Sequence, residues 1–98
     1  MTININFELM PFNEAVTEFL VFRMNSLSKK HDWLKKAVIN FKKKTSNPNS
    51  EEICEITLVT ATEDYKVVAV ADKITAATKE AIIDLEELIR NKVTRFVA

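Results

Sequence analysis

Glycine is absent from this chain of 98 residues, which also contains only one cysteine, one histidine and two prolines. The lack of glycine excludes Gly-rich phosphate-binding loops and dinucleotide-binding fingerprints, because both need backbone at positive φ or backbone close to a ligand. The turns are therefore expected to use Asn, Asp, Ser and Pro.

The single cysteine and the single histidine exclude several kinds of site. Cys54 has no partner for an internal disulfide, which is typical of the reducing cytosol, and its apolar strand context predicts a core residue. His31 stands alone, so we interpret it as a helix cap and expect no metal site and no general base. We therefore predict that the chain is not an enzyme and takes no cofactor or small-molecule substrate.

Long apolar runs are also missing. None approaches the roughly 20 residues of a membrane-spanning helix, and the beginning of the chain lacks a signal-peptide pattern. With 47% hydrophobic and 29% charged residues, the composition is that of a soluble globular protein. We expect one domain over residues 1–98, no membrane contact and a cytoplasmic location.

What the chain does contain is an uneven distribution of charge. Residues 23–44, here called the basic belt, carry eight Lys or Arg and one acid, a net charge of +7, whereas the other 76 residues sum to −7. Such a belt is typical of proteins that bind polyanions. It also fits a solvated helix end and an edge strand that lysine keeps soluble. Charge alone leaves both interpretations open.

The first half of the chain predicts a strand and then a helix. Apolar and polar residues alternate over residues 2–8, and Pro11 ends this pattern. Asn13 is a natural N-cap, and apolar residues at three- and four-residue steps predict an amphipathic helix to about Lys30. Val21 and Phe22 lie at the sides of the apolar stripe, where they either pack on their neighbours or mark a partner surface.

The second half predicts three strands and another helix. Period-two patterns indicate strands over residues 37–42, 52–60 and 65–71, and residues 45–50 are dense in turn formers. The last of these strands is apolar on both faces, which favours a central position in the sheet. Asp72 is the expected N-cap of the last helix.

The predicted order is β-α-β-β-β-α. The first helix is long enough for a right-handed crossover, which sets the first two strands parallel and adjacent, and the last three strands form an antiparallel meander. We therefore predict an α+β fold: a two-layer sandwich of a four-stranded mixed sheet with two helices packed on one face.

Several short motifs, in this order, resemble the short ribosome hibernation-promoting factors, the family that includes the bacterial ribosome-associated inhibitor protein. The motifs are Ile3-x-Ile5, residues 13–19, Arg23 with Leu27, residues 37–42, Asp72-x-Ile74-x-Ala76 and Leu85-Glu86. The resemblance covers nearly the whole chain and rests on their order and spacing.

The resemblance implies a cytosolic protein that binds rRNA of the small ribosomal subunit in the mRNA and tRNA channel. There it would inhibit translation or protect idle ribosomes under stress, as in stationary phase, and we expect a monomer when it is free. The implied RNA-binding residues are Arg23, Lys29, Lys30, Lys35, Lys36, Arg90, Lys92 and Arg95.

This chain departs from the family in the middle of the last helix. Asp84 and Glu87 stand where the family usually carries Lys or Arg, and acids on an RNA-facing surface weaken phosphate contacts. A second hypothesis therefore stays open: a diverged relative that keeps the fold and binds a protein through its acidic last helix or its sheet edge.

Overall fold

The computed structural model describes the backbone of residues 1–97 and the side chains of residues 1–92. Its elements are β1 (Thr2–Glu8), α1 (Glu14–Lys30), β2 (Leu34–Lys43), β3 (Glu52–Thr60), β4 (Asp64–Ala71) and α2 (Ile74–Val97). The predicted order of elements is confirmed.

The four strands form one sheet in the order β1-β2-β3-β4. β1 and β2 are parallel, with Ile5 opposite Ile39, and the two other pairs are antiparallel. The α1 crossover therefore joins adjacent parallel strands, as the sequence predicts.

The core lies between one face of the sheet and the two helices, which confirms the predicted α+β sandwich. Each helix buries one stripe, because its apolar residues recur at three- and four-residue steps. The fully or almost fully buried side chains include Val16, Leu20, Met24, Ile39, Phe41, Cys54, Ile56, Leu58, Ile82, Leu85 and Ile89. Cys54 is fully buried in this core, as expected, and its burial raises the pKa of the thiol to about 11.

The prediction of a central position for the last strand is wrong. β4 pairs only with β3 in the sheet that the structure describes and forms its edge. Val68 and Val70 lie on the face away from the helices and are 49% and 42% exposed. Valine favours any pleated strand, so its presence on both faces did not mean burial on both faces.

β2 begins at Leu34, three residues earlier than predicted, because it contains a bulge. Leu34 pairs with Thr60 and Lys36 with Val59, so Lys35 is an extra residue on this strand. The bulge lets both Leu34 and Ala37 face the core. Two successive lysines, Lys35 and Lys36, consequently stay out of the core at the start of the strand.

The capping side chain of α2 comes from β3 and not from Asp72. The first hydrogen bond of the helix runs from the Ala77 N–H to the Lys73 carbonyl oxygen, which places Lys73 at the N-cap position. A lysine side chain cannot accept a hydrogen bond. Glu52 supplies the acceptor instead, since its Oε1 lies 2.7 Å from the Ile74 nitrogen.

The turns use polar residues where other proteins use glycine. Asn13 Oδ1 accepts a hydrogen bond from the Val16 N–H and caps α1, as predicted. In the loop after β2, Asn47 Oδ1 accepts from the Asn49 N–H. After β1, however, Leu9 itself adopts φ 59°, a left-handed conformation that is unfavourable for a residue with a Cβ atom.

Candidate nucleic-acid interface

Two connections of the fold and the last turns of α2 meet at one end of the molecule. α1 runs back along the sheet and ends beside the start of β2, and the β3–β4 turn lies at the same end. α2 starts after β4 at the opposite end and returns, so its last turns arrive here too. We call this end the basic end, because it collects Lys29, Lys30, Lys35, Lys36, Arg90 and Lys92.

The basic belt of the sequence is divided by the structure. Its last three lysines lie at the opposite end of β2, where antiparallel pairing with β3 sets them beside acids. The nitrogen–oxygen distances are 3.2 Å for Lys42–Glu55, 4.0 Å for Lys43–Glu52 and 3.8 Å for Lys44–Glu51. These three charges are locally neutralised.

The lysines at the basic end differ in this respect. No acid among the described side chains forms an ion pair with Lys29, Lys30, Lys35 or Lys36. Lys29 and Lys30 lie in the last turn of α1, where positive charge complements the helix dipole. Lys35 and Lys36 are held outside the core by the bulge. These four side chains form the positive surface that remains available to a polyanion.

Arg23 has a partner inside the protein. Its guanidinium donates a hydrogen bond to Glu86 Oε1 and links α1 to α2, with the side chains 37% and 34% exposed. Arg23 is the residue that best matches the basic position of the family's first helix. In this chain its charge is balanced by an acid of α2.

A groove of about 490 Å³ separates the second half of α1 from α2. Three of the residues predicted to bind RNA line it, namely Arg23, Lys30 and Arg90. His31 also lines the groove. It is the C-cap residue of α1, as predicted, and its backbone N–H donates to the Leu27 carbonyl oxygen. The groove therefore brings cations of both helices together.

Lys92 lies on another side of the basic end, against β4. Its Nζ is 2.5 Å from Glu63 Oε1 and 5.9 Å from the centre of the Tyr65 ring. The hydrogen bond to Glu63 raises the pKa of Lys92, so this ammonium stays charged. Trp33, in the turn after α1, continues the contact, because its ring centre is 6.2 Å from that of Tyr65.

Three placements qualify the predicted RNA-binding surface. Asp84 and Glu87 are exposed on α2, so the acids that depart from the family pattern do face solvent. The side chain of Arg95 lies outside the described residues. The row of His31, Trp33 and Tyr65 rings was missed as a unit, because Tyr65 of β4 lies far along the chain from His31 and Trp33, which share the connection between α1 and β2.

Two other features are absent from the described part of the chain. No group of three or more His, Cys, Asp or Glu side chains that could hold a metal ion occurs among the described residues. Within the same part of the chain, no helix combines the length and the apolar character needed to cross a membrane.

The β-α-β-β-β-α sandwich is also found in solved structures of other proteins. The structure is similar to a ribosomal subunit interface protein from Coxiella burnetii, with a TM-score of 0.82 and 14% identity over 96% of this chain and 99% of that chain. It is also similar to the N-terminal domain of Thermus thermophilus Protein Y, with a TM-score of 0.75, 15% identity and coverage of 93% and 98%.

These likenesses confirm, at the level of the fold, the resemblance to the ribosome hibernation-promoting factors. No protein-family model matches the sequence, and no curated protein matches it either. At such low identity the likeness extends to the fold alone.

Proposed function

We propose that this protein is a non-enzymatic, cytoplasmic regulator that binds the ribosome. It occupies the mRNA and tRNA channel of the small subunit through rRNA contacts, and it inhibits translation or protects idle ribosomes under stress. The fold shared with a ribosomal subunit interface protein supports this proposal. The protein acts by occupancy, so it needs no cofactor.

The observation that carries the proposal is the group of four lysines at the basic end that form no ion pair with any acid among the described side chains. Phosphate groups supply most of the affinity in nucleic-acid complexes, and lysine binds them as a point charge. The grooves of A-form RNA give side chains little sequence to contact, so the shape of the fold would select the site. Lys29, Lys30, Lys35 and Lys36 are the residues proposed to touch phosphate first.

Binding should depend steeply on salt. Four to six neutralised phosphates correspond to a log–log slope of about −3 to −5. A slope near zero would contradict binding through phosphate contacts.

The test is co-sedimentation with small ribosomal subunits at low and moderate salt. One variant changes Lys29, Lys30 and Lys35 to Gln. A matched control changes Lys44, Lys73 and Lys79 to Gln, because these lysines are also exposed and the net charge falls by the same amount. The basic-end variant should lose binding while the control keeps most of it. Equal behaviour of the two variants, or no binding by the unchanged protein at low salt, would overturn the proposal.

A protein-binding module without rRNA contacts is the second candidate. The exposed acids Asp84 and Glu87 on α2 favour it, because their negative charges repel a polyanion and attract a basic partner surface. Gel filtration separates the two candidates: a stable dimer that is indifferent to salt favours the protein-binding module, whereas a free monomer accords with the ribosome-binding proposal.

A further inference from the structure

We infer that the groove between α1 and α2 binds a single unstacked nucleotide, with Phe22 stacking on its base. This inference rests on the proposed function for the choice of RNA as the ligand. It goes further by naming a single-stranded nucleotide, instead of duplex backbone, as the recognised element.

The groove has the size and the lining of a small-ligand site. Its volume of about 490 Å³ falls within the range of roughly 300–1,000 Å³ that is usual for such pockets. The buried side chains Leu27 and Ile89 form an apolar floor, and polar groups stand along both walls. An apolar floor with a few polar groups at the walls suits a flat heterocycle better than a row of phosphates.

Phe22 is the group that points to a base. It lines the groove and yet is 69% exposed, so it contributes little to the core. An isolated exposed phenylalanine would need no explanation, but this one stands beside cations on a surface proposed to bind RNA. Unstacked bases in single-stranded RNA are commonly held on aromatic rings, because every base offers a π-face.

The charges are arranged for a nucleotide along the groove. Phe22 and Lys30 lie on the same side of α1, eight residues apart, which is about 12 Å along the helix. Lys30 therefore offers a cation for phosphate at the end of the groove away from Phe22, where Arg90 also lines the groove. Next to Phe22, the Arg23–Glu86 pair presents both donors and an acceptor, which the edge of a stacked base can match and a row of phosphates cannot.

The test measures binding of short RNA by fluorescence anisotropy, with labelled single-stranded eight-mers and a duplex of equal length. Phe22→Ala and Phe22→Leu should weaken binding of the single strands about five- to hundredfold, as expected for the loss of one stacked base. Phe22→Trp should preserve it. The salt slope should stay unchanged in all three, whereas Lys30→Gln should make it shallower by about 0.7.

Phe12→Ala is the matched control. Phe12 is 67% exposed, close to the value for Phe22, but it lies before α1 and contacts Phe7 instead of the groove. This variant should bind RNA like the unchanged protein. Circular dichroism of each variant checks that the fold is intact, as expected for a change at an exposed position.

The outcomes separate this inference from the proposed function. If Phe22→Ala binds single strands as well as the unchanged protein, or if the unchanged protein binds none at low salt, the nucleotide site is overturned. Co-sedimentation with ribosomal subunits can still confirm the proposed function in that case. If Phe22 is needed for single strands but ribosomal subunits are not bound, the nucleotide site stands and the ribosomal role falls.

Discussion

Arg23 of α1 and Glu86 of α2 form an ion pair that links the two helices at the edge of the groove. The pair is partly exposed, so its contribution to stability is small, on the order of 0–1 kcal/mol. Its larger effect is on the charge that α1 can offer to a polyanion.

Removal of the Glu86 charge should therefore strengthen RNA binding. Glu86→Gln leaves Arg23 without an opposing charge, and the log–log salt slope should steepen by about 0.7 to 0.9. Salt titrations of ribosomal-subunit binding measure this slope. Glu87→Gln is the control, because it removes the same charge as Glu86→Gln. Glu87 is exposed and forms no ion pair in the described structure, so this variant should leave the slope unchanged. A steeper slope in both variants would mean that only net charge matters.

The cap of α2 by Glu52 should be measurable in stability. Glu52→Ala removes the acceptor of the Ile74 N–H, and loss of a capping oxygen costs about 1 kcal/mol. Glu52→Gln keeps an amide oxygen and should recover part of this loss. Urea denaturation measures both, with Glu51→Ala as the neighbouring control at an exposed site. A midpoint for Glu52→Ala equal to that of Glu51→Ala would refute the capping role.

Alkaline pH should destabilise the protein partly through Cys54. The pKa of this thiol rises from 9.0 to about 11 on folding, so between these values the unfolded chain binds fewer protons than the folded one. Stability is therefore fully retained below pH 9 and falls as pH rises toward 11, on the order of 2 kcal/mol from this group.

Urea denaturation of Cys54→Ala at pH 8 and pH 10.5 checks this expectation. The variant is less stable at pH 8, because a buried sulfur is lost. Its further loss at pH 10.5 should be smaller than that of the unchanged protein. Tyr65 and Lys92 also have raised pKa values, but they titrate alike in both proteins and cancel in the comparison. Parallel losses in the two proteins would contradict a thiol origin.

The bulge at Lys35 should be needed to keep Leu34 in the core. Deletion of Lys35 restores regular pairing and turns Leu34 to the opposite face of the sheet. Exposure of a buried leucine side chain costs about 1.5–3 kcal/mol. Lys35→Gln, which keeps the chain length, should change stability by less than about 0.5 kcal/mol. Thermal unfolding of the two variants compares them, and equal midpoints would show that the bulge is dispensable.

The sequence predicts those features that depend on local pattern. The bounds of β1 and the start and end of α1 follow from alternation, from Asn13 and from the helical repeat, and the structure agrees with them. The apolar residues Leu34 and Ala37, three apart before an otherwise alternating strand, were the available signal for the bulge.

Features that depend on tertiary pairing were not predictable in the same way. The register of β2 with β3 decides that Lys43 meets Glu52, and the packing of the helices decides that Arg23 meets Glu86. The basic belt therefore appears in the sequence as one unit, although only part of it keeps an unbalanced charge. The edge position of β4 likewise follows from strand order, which valine content does not specify.

The separation of charge along β2 has a kinetic consequence. From Lys36 to Lys43 the strand spans about 23 Å, whereas electrostatic screening in 0.1 M salt acts over about 10 Å. An approaching polyanion therefore senses the unbalanced lysines independently of the neutralised ones, although the chain as a whole has a formal net charge of zero. Long-range attraction to the whole molecule is weak, and association is accelerated only for encounters that begin with the basic end turned toward the RNA. The lysine arrangement thus selects the orientation of arrival before any specific contact forms.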